Sequence, residues 1–249
     1  MPKSKEYLLR HIKLPGFGEK KQAELSKKTV ALVGLGGIGT PIAVYLVCAG
    51  IGRLIIIDKD VVEKSNLNRQ FAYSLQDVGK PKAECMAAFL KRLSTTTEII
   101  AYRAELDEHN IDDLTAEADL IVEGVDNFET RFLINRYCVD NRIPYVHAAI
   151  QGTQGQLFIV KIPETPCLRC AFGDLKPLPG IEPPPVFGPA TGVLGSLAAV
   201  EVIKLLTGYG KCILNKLLIV DIYDASFIAI DVKKDPECPV CSMYQHDTG

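Results

Sequence analysis

Short apolar runs alternate with segments of helical periodicity along the first 150 residues of the chain. Runs of this length between turn residues are typical of buried parallel strands, and a 3.6-residue apolar period predicts helices. The predicted strands are 29–33, 53–57, 98–104, 119–123 and 144–149. The predicted helices are 39–49, 81–93, 111–117 and 127–141. This alternation predicts an α/β fold with a Rossmann-like, doubly wound and mostly parallel sheet.

The pattern changes in the last 100 residues. Segments 156–161, 216–222 and 226–232 have strand character, and 192–207 is the only helical pattern between them. Strands without crossover helices pair antiparallel, so we expect an antiparallel extension of the sheet. Prolines crowd the stretch 174–189, which predicts an extended loop.

Composition and charge narrow the class of protein. The 249 residues carry a net charge of −2 and no dense basic run, so we expect no nucleic-acid partner. The charged N-terminus has no signal-peptide pattern, and Glu201 and Lys204 interrupt the most apolar segment, so we expect no membrane span. Eight cysteines without an export signal predict a cytoplasmic protein. Three of them, Cys48, Cys85 and Cys138, lie in apolar helical patterns and are expected to be buried thiols.

The first predicted strand runs into a glycine-rich loop, Gly34-Leu-Gly-Gly-Ile-Gly39. Gly34 permits a tight turn, Gly36 and Gly37 let a phosphate approach the backbone, and Gly39 allows close packing of helix on strand. Asp58 ends the second strand and is suitably located to accept hydrogen bonds from a ribose. The loop alone leaves NAD, FAD and ATP open, as well as a tight turn without a ligand.

Charged side chains follow the predicted strands and are therefore expected at the carboxyl edge of the sheet, where open α/β folds bind ligands. Arg69 and Lys82 offer two cations, and Asp126 offers a carboxylate suited to Mg²⁺. Cations and a metal together favour phosphoryl or nucleotidyl transfer, in which negative charge moves onto a leaving pyrophosphate. The alternatives are a solvated loop for Arg69, a helix surface for Lys82 and a helix N-cap for Asp126.

Two Cys-x2-Cys pairs lie 67 residues apart, Cys167 with Cys170 and Cys238 with Cys241. Four thiolates in two such pairs favour a closed, tetrahedral structural zinc site that fastens the C-terminus to the middle of the chain. Two unrelated reduced pairs or two disulfides are the alternatives.

Jointly, these motifs identify a resemblance that runs through nearly the whole chain. The sequence resembles the ubiquitin-activating-enzyme-like adenylyltransferases of the MoeB/ThiF type, which activate sulfur-carrier proteins for molybdopterin, thiamine or thio-tRNA synthesis. The motifs that carry it are Arg10-His-Ile, the glycine loop, Asp58-Lys-Asp60, Ser65-Asn-Leu-Asn-Arg-Gln, Gly79-Lys-Pro-Lys, Val125-Asp-Asn, both cysteine pairs and 192–211.

The resemblance implies ATP, Mg²⁺ and Zn²⁺ and gives roles to individual residues. The implied ATP site comprises Gly34, Gly36, Gly37, Gly39, Asp58, Asp60, Ser65, Asn66, Arg69, Lys82, Asp126 and Asn127. Within it, Asn66, Arg69 and Lys82 would contact the triphosphate, and Asp126 would hold Mg²⁺. Arg10 matches an arginine that reaches the ATP site across a homodimer and joins Arg69, Lys82 and Asp126 as a catalytic residue. The four paired cysteines match the family's zinc ligands.

The implied activity is adenylation of the C-terminal glycine carboxylate of a small ubiquitin-fold sulfur carrier that ends in Gly-Gly. Pyrophosphate is released, and the acyl-adenylate is used for later sulfur transfer, with a sulfurtransferase or cysteine desulfurase as a further partner. We expect an N-terminal helical arm at 1–28, a nucleotide-binding region at 29–150, and a carrier-docking, zinc-bearing region at 151–249, all within one compact domain.

One departure from the family pattern concerns a loop cysteine that some relatives use for a covalent link to the carrier. Residues 171–191 contain no cysteine, and Cys212 falls after the following helix, so no covalent step is expected. The alternatives to a sulfur carrier are another acceptor, such as a peptide C-terminus or a tRNA base, or a non-catalytic subunit that binds a ubiquitin-like protein. An NAD-linked oxidoreductase is supported only by the glycine loop and Asp58.

Overall fold

A computed structural model of the protein describes residues 6–94, 96–173 and 185–244. The strands are β1 Thr29–Val33, β2 Arg53–Ile57, β3 Glu98–Tyr102, β4 Leu120–Glu123, β5 Tyr145–Gln151, β6 Gln154–Val160, β7 Lys216–Asp221 and β8 Ser226–Asp231. The helices are α1 Leu9–Ile12, α2 Gly18–Leu25, α3 Gly39–Cys48, α4 Lys82–Leu93, α5 Ile111–Thr115, α6 Phe128–Asn141, α7 Leu168–Phe172 and α8 Gly188–Thr207. All eight strands form one sheet in the order β3-β2-β1-β4-β5-β6-β7-β8.

The first five strands are parallel, and the chain winds outward in both directions from β1. Val33, the last residue of β1, pairs with Ile57 of β2 and Glu123 of β4, so the three carboxyl ends are level. The strand order reverses between β1 and β4. In open α/β sheets such a reversal opens a crevice at the carboxyl edge, and that crevice is where ligands bind.

The alternation of side chains along β1 divides the core into two layers. Val30 and Leu32 pack on one face of the sheet with α2, α3, α4 and α8. Ala31 and Val33 pack on the other face with α5, α6 and α7. Because both faces are covered, β1 is buried at every residue, which explains its continuous apolar sequence.

The antiparallel extension is also confirmed. β6 pairs antiparallel with β5, and β7 and β8 continue the sheet antiparallel to the edge. The predicted boundaries agree with the structure to within two residues for all eight strands, with β3 ending at Tyr102 and β6 beginning at Gln154.

The helix α8 is the longest described and begins four residues before its predicted start, with a proline in its first turn. The predicted extended loop 174–189 is therefore wrong at its last two residues, which are helical. Residues 174–184 of that prediction lie outside the described residues. By length and composition α8 could cross a membrane, but half of it is buried. It packs on α3, β5 and β6 and serves as a core helix of the fold.

The three thiols predicted to be buried differ from one another. Cys138 on α6 is buried, as expected, but Cys48 and Cys85 are only partly buried. Cys48 is the last residue of α3, and Cys85 lies in the first turn of α4, so each is at the margin of its helix–sheet contact.

Candidate functional site

Close contacts surround three of the four glycines in the loop between β1 and α3. Gly34 has φ +88°, and a Cβ there would lie 3.0 Å from the Gly124 carbonyl group after β4. A Cβ at Gly39 would lie 1.9 Å from the Gly34 oxygen. At Gly37 the close approach is to Thr191 of α8, 3.0 Å away, whereas the nearest atom at Gly36 is 3.7 Å away. The backbone at Gly36 is thus the more accessible to a phosphate.

Asp58 fastens this loop to the end of β2. Its carboxylate oxygens accept hydrogen bonds from the backbone amides of Leu35, at 2.7 Å, and of Asp60, at 2.8 Å. The Tyr73 hydroxyl donates to the Leu35 oxygen at 3.0 Å, so Leu35 is held on both sides. Burial raises the pKa of Asp58, and the charge of Lys82 and the two amides offset this only in part.

Lys82 lies at the start of α4 and points to the same edge of the sheet. Its Nζ atom is 3.0 Å from Asp60 Oδ2, and the residue is only 7% exposed. The alternative of a solvated lysine on a helix surface is therefore wrong. The side chain of Asp60 is 54% exposed, so the pair stands at the rim of the crevice with its carboxylate towards solvent.

The segment after β2 lies against both the glycine loop and the start of α8. Asn66 is buried and accepts a hydrogen bond from the Glu63 amide at 3.0 Å, which fixes the turn. Arg69 Nη1 donates to the Ser65 oxygen and to Asn68 Oδ1, both at 2.9 Å. A Cβ on Gly188, the first residue of α8, would lie 3.4 Å from Arg69 Cβ.

Gln70, the next residue, has an orphaned polar atom beside the glycine loop. It is 3% exposed, and its Oε1 atom has no hydrogen-bond partner among the described residues. Its Nε2 atom is the nearest atom to a Cβ built on Gly36. A buried acceptor without a partner is rare in proteins and indicates a place that a bound molecule or water completes. The accessible backbone at Gly36 and this orphaned acceptor are compatible with a bound nucleotide at the loop.

The turn between β4 and α6 carries Asp126 and Asn127. Asn127 is the N-cap of α6, because its Oδ1 atom accepts a hydrogen bond from the Thr130 amide at 2.8 Å. The alternative of Asp126 as the N-cap is therefore wrong. Asp126 is exposed at the carboxyl edge. The hydrogen bond to Glu105 is the main cause that raises the pKa of Lys59, and the charges of Glu105, Asp60 and Asp126 add to it.

A buried charge cluster behind this turn was missed by sequence reasoning. Glu123 Oε1 is 2.5 Å from His147 Nδ1, 3.2 Å from the Tyr145 hydroxyl and 3.8 Å from Arg131 Nε. All four side chains are at least nine-tenths buried. Burial opposes the charge of Glu123, but His147, Arg131 and the Val125 amide outweigh it and lower the pKa of the carboxyl. A glutamate that ends an otherwise apolar buried strand was the available signal, since a buried charge needs a partner.

Arg10 is the one predicted catalytic residue that the fold does not bring to this edge. It is exposed on α1, where the neighbouring Leu8 packs against Gly50, just beyond the end of α3. The ten residues of α3 separate Gly50 from the glycine loop, about 15 Å at 1.5 Å per residue. Arg10 therefore lies at the opposite end of α3 from the crevice.

The four paired cysteines converge into one cluster. It lies beside α6 and α7, in the core layer on that face of the sheet. The Sγ atoms of Cys167 and Cys238 are 3.6 Å apart, those of Cys170 and Cys241 3.5 Å, and all four lie within 4.8 Å of one another. Four sulfurs each about 2.3 Å from a tetrahedral zinc ion would be about 3.8 Å apart, whereas disulfide sulfurs are about 2.05 Å apart. The single cluster fits zinc and favours it over two separate pairs, and the sulfur distances are too long for disulfides.

Comparison with known proteins shows the family. The sequence model of the ThiF family matches residues 8–240, and the chain therefore belongs to the ThiF family. The chain is 39% identical over 236 residues to the SAMP-activating enzyme E1 of Haloferax volcanii, covering 93% of this chain and 87% of that one. It is 38% identical over 240 residues to the sulfur carrier protein adenylyltransferase of Thermus thermophilus, covering 93% and 89%.

Solved structures of E. coli MccB share the fold. The complex of MccB with MccA-N7isoASN superposes with a TM-score of 0.85 at 26% identity, covering 96% of this chain and 75% of that one. The complex of MccB with ATP superposes with a TM-score of 0.79 at 27% identity, covering 89% and 68%. The resemblance to adenylyltransferases of the MoeB/ThiF type and the fold expected from it are thus confirmed.

Proposed function

We propose that this protein is an adenylyltransferase that uses ATP to activate the C-terminal glycine carboxylate of a ubiquitin-like sulfur carrier. The observation that carries the proposal is that the glycine loop, the Lys82–Asp60 pair and the turn before Asp126 follow the level carboxyl ends of β1, β2 and β4 in a chain of the ThiF family. Two cations beside a phosphate-accessible loop suit a reaction that expels pyrophosphate.

The substrate class comes from the relatives. The two curated relatives at 38–39% identity are named for activating SAMP and a sulfur carrier protein. MccB, crystallised with MccA and derivatives of it, is only 26% identical to this chain. A sulfur carrier with a Gly-Gly terminus is therefore the favoured acceptor over a short peptide. An NAD-linked oxidoreductase and a non-catalytic binding subunit have no support from these relatives.

In the proposed reaction a carboxylate oxygen of the carrier attacks the α-phosphorus of ATP. The bond from that phosphorus to the bridging oxygen breaks, pyrophosphate leaves with the electron pair, and the carrier retains AMP as an acyl-adenylate. An ionised carboxylate needs no general base. The protein accelerates the step by orienting the two reactants and by neutralising the charge that develops on the leaving group.

The residues of the crevice divide this work. Gly36 offers its backbone to a phosphate, Arg69 and Lys82 balance the triphosphate, and Asn66 adds a polar contact to it. Asp58 is suitable for the ribose, although its carboxylate also holds Leu35, so its substitution would disturb the loop as well. Asp126 would hold Mg²⁺, which supplies further charge neutralisation on the phosphates when bound.

The cysteine cluster is proposed to bind one zinc ion with a structural role. Four thiolate ligands leave no open position for water or substrate, so the metal cannot act as a Lewis acid. Its effect is to join Cys167 and Cys170 to the C-terminal tail, and the free energy of metal binding contributes to folding.

A homodimer is proposed because Arg10 lies at the wrong end of α3 in its own chain. The face formed by α3 and α8 is apolar and exposed, with Tyr45 and Val200 about half exposed and Phe71 beside them. If a second copy packs on this face with its α3 antiparallel, the Arg10 end of one copy meets the glycine-loop end of the other. Two-fold symmetry then supplies both sites with an arginine from the partner.

The carrier is proposed to dock on the C-terminal region, 151–249, where β8 forms one edge of the sheet. Phe227, Ile228 and Ile230 of β8 are each half exposed or more, which is unusual for an edge strand that faces only water. A separate sulfurtransferase or cysteine desulfurase would then supply sulfur to the acyl-adenylate.

No covalent link between carrier and enzyme is proposed. Cys212 is half-buried, and burial together with Glu201 raises the pKa of its thiol, which disfavours the nucleophilic thiolate. The acyl-adenylate should therefore be the final product on this chain.

The test uses purified protein, Mg-ATP and carriers that end in Gly-Gly. We expect carrier-dependent ATP–pyrophosphate exchange, and intact mass spectrometry without reductant should show carrier plus AMP and no carrier–enzyme conjugate. Exchange with a short peptide but with no carrier would overturn the substrate class. A thiol-sensitive conjugate that is lost in Cys212→Ala would overturn the non-covalent route.

A further inference from the structure

The buried charge cluster behind the β4–α6 turn contacts the backbone of one particular residue, Val125. Glu123 Oε2 accepts a hydrogen bond from the Val125 amide at 2.8 Å. Arg131 Nη2 donates to the Val125 oxygen at 2.6 Å. Glu123 and Arg131 form an ion pair, and together they bind both the N–H and the C=O group of Val125, the residue before Asp126.

The residue after Asp126 is also fixed, by a different interaction. Asn127 caps α6 through the Thr130 amide, and Arg131 follows one helical turn later with its guanidinium 5.2 Å from the Phe128 ring centroid. Asp126 thus lies between two anchored residues, while its own side chain is exposed to the crevice. This arrangement restricts the backbone of Asp126 without engaging its carboxylate.

The cluster is built to resist rearrangement. Glu123 is fully buried and has His147, Tyr145 and Arg131 around one oxygen and the Val125 amide on the other. Gln156 Nε2 lies 3.3 Å from the remaining ring nitrogen of His147 and extends the network to β6. A buried charge with several partners is costly to expose, so its orientation is well defined.

We infer that Glu123 and Arg131 are positioning residues that hold Asp126 in the orientation required at the nucleotide site. The inference rests on the proposed adenylation, in which Asp126 acts on Mg-ATP. Neither side chain needs to touch the nucleotide, because each acts on the Val125 backbone. A shift of about 1 Å in a positioned group can cost up to about 10²-fold in rate, so such residues have measurable effects on turnover.

The first experiment reads the turn directly and does not depend on activity. Hydrogen–deuterium exchange of the segment around Val125 should be faster in Glu123→Gln and Arg131→Lys than in wild type, because both variants weaken the bonds to Val125. Glu201→Gln is the matched control. Glu201 is another buried carboxylate, 3% exposed, and it accepts a hydrogen bond from the Ile213 amide at 3.0 Å near the far end of α8. Unchanged exchange around Val125 in both cluster variants would overturn the inference.

The second experiment is a double-mutant cycle in the carrier-dependent exchange assay. Arg131→Lys alone should lower turnover and raise the Mg²⁺ concentration for half-maximal rate, each by about tenfold. In an Asp126→Asn background, Arg131→Lys should lower turnover by less than about threefold, since the carboxylate that Arg131 positions is already lost. Equal effects in both backgrounds, or an equal effect of Glu201→Gln, would show a general structural role and overturn the inference.

Two controls keep the outcome interpretable. If Glu123→Gln does not fold, Tyr145→Phe replaces it, because it removes one hydrogen bond to Glu123 and no charge. Faster exchange around Val125 is then still expected, and its absence would count against the inference. Wild-type protein without any carrier-dependent activity would instead contradict the proposed function, while the hydrogen-exchange result would stand by itself.

Discussion

The nucleotide crevice and the cysteine cluster are built in opposite ways. The crevice is assembled from polar residues that each follow a strand, and most of its side chains, such as Asp58 and Asn66, are bonded to nearby backbone. The cluster joins two cysteine pairs 67 residues apart within an apolar layer of the core. We propose that the first region carries the chemistry and that the second holds distant parts of the chain together.

The helix α6 lies between the two regions and contacts both. Its start carries the Asp126 turn, whereas Asn135 in its middle accepts a hydrogen bond from the Leu168 amide at 2.8 Å, next to the first cysteine pair. Arg136 Nη1 lies 3.5 Å from the Pro239 oxygen in the second pair. The contrast predicts that damage to one region affects turnover and damage to the other affects stability.

The largest expected effect is that of Cys238→Ser on stability. Loss of a structural metal site costs about 4 kcal/mol or more, which corresponds to a fall of about 10 °C in Tm for a chain of this size. Zinc content by elemental analysis should fall from about one per chain, and thermal denaturation gives the Tm. Cys212→Ser, a half-buried thiol outside the cluster, is the control. If the wild-type protein has the same Tm with and without zinc, the proposed structural role of the cysteine cluster is wrong.

The next effect is that of Arg69→Ala on turnover. The substitution removes a charge-assisted contact that strengthens as pyrophosphate leaves, and we expect a loss of about 10²-fold in carrier-dependent exchange. Zinc content and Tm should stay close to wild type. Arg92→Ala, at the far end of α4, removes an exposed arginine that stacks on Phe89 and is the matched control. Activity within a few-fold of wild type would reject the role of Arg69.

The smallest effect is recovery of activity on mixing two inactive variants. If Arg10 acts across the dimer, each mixed dimer of Arg10→Ala with Arg69→Ala contains one site with both arginines intact. Random re-association of equal amounts then restores about one quarter of the wild-type sites. The measurement is exchange activity after the subunits have been allowed to re-equilibrate. Activity no higher than that of either variant alone would reject the contribution in trans.

Much of the fold was readable from local pattern. β1 is apolar at every position because both of its faces are covered, so its limits could be predicted to the residue. Gly34 and Gly39 could be recognised because a turn and a close packing contact there admit no side chain. The cysteine pairs could be assigned to zinc because the spacing within each pair is itself a feature of such sites.

The tertiary structure decided what depends on neighbours that are distant in the chain. The partnership of Glu123 with Arg131 and His147 requires β4, α6 and β5 to be assembled, and no local pattern specifies it. The same holds for Lys82, which was predicted to offer a cation at this edge, because its burial and its contact with Asp60 are set by how α4 packs on the sheet. Sequence patterns report which face of an element is buried, since burial follows a local period. The partner that a buried charge meets is set by how elements pack, and that is defined only in the folded chain.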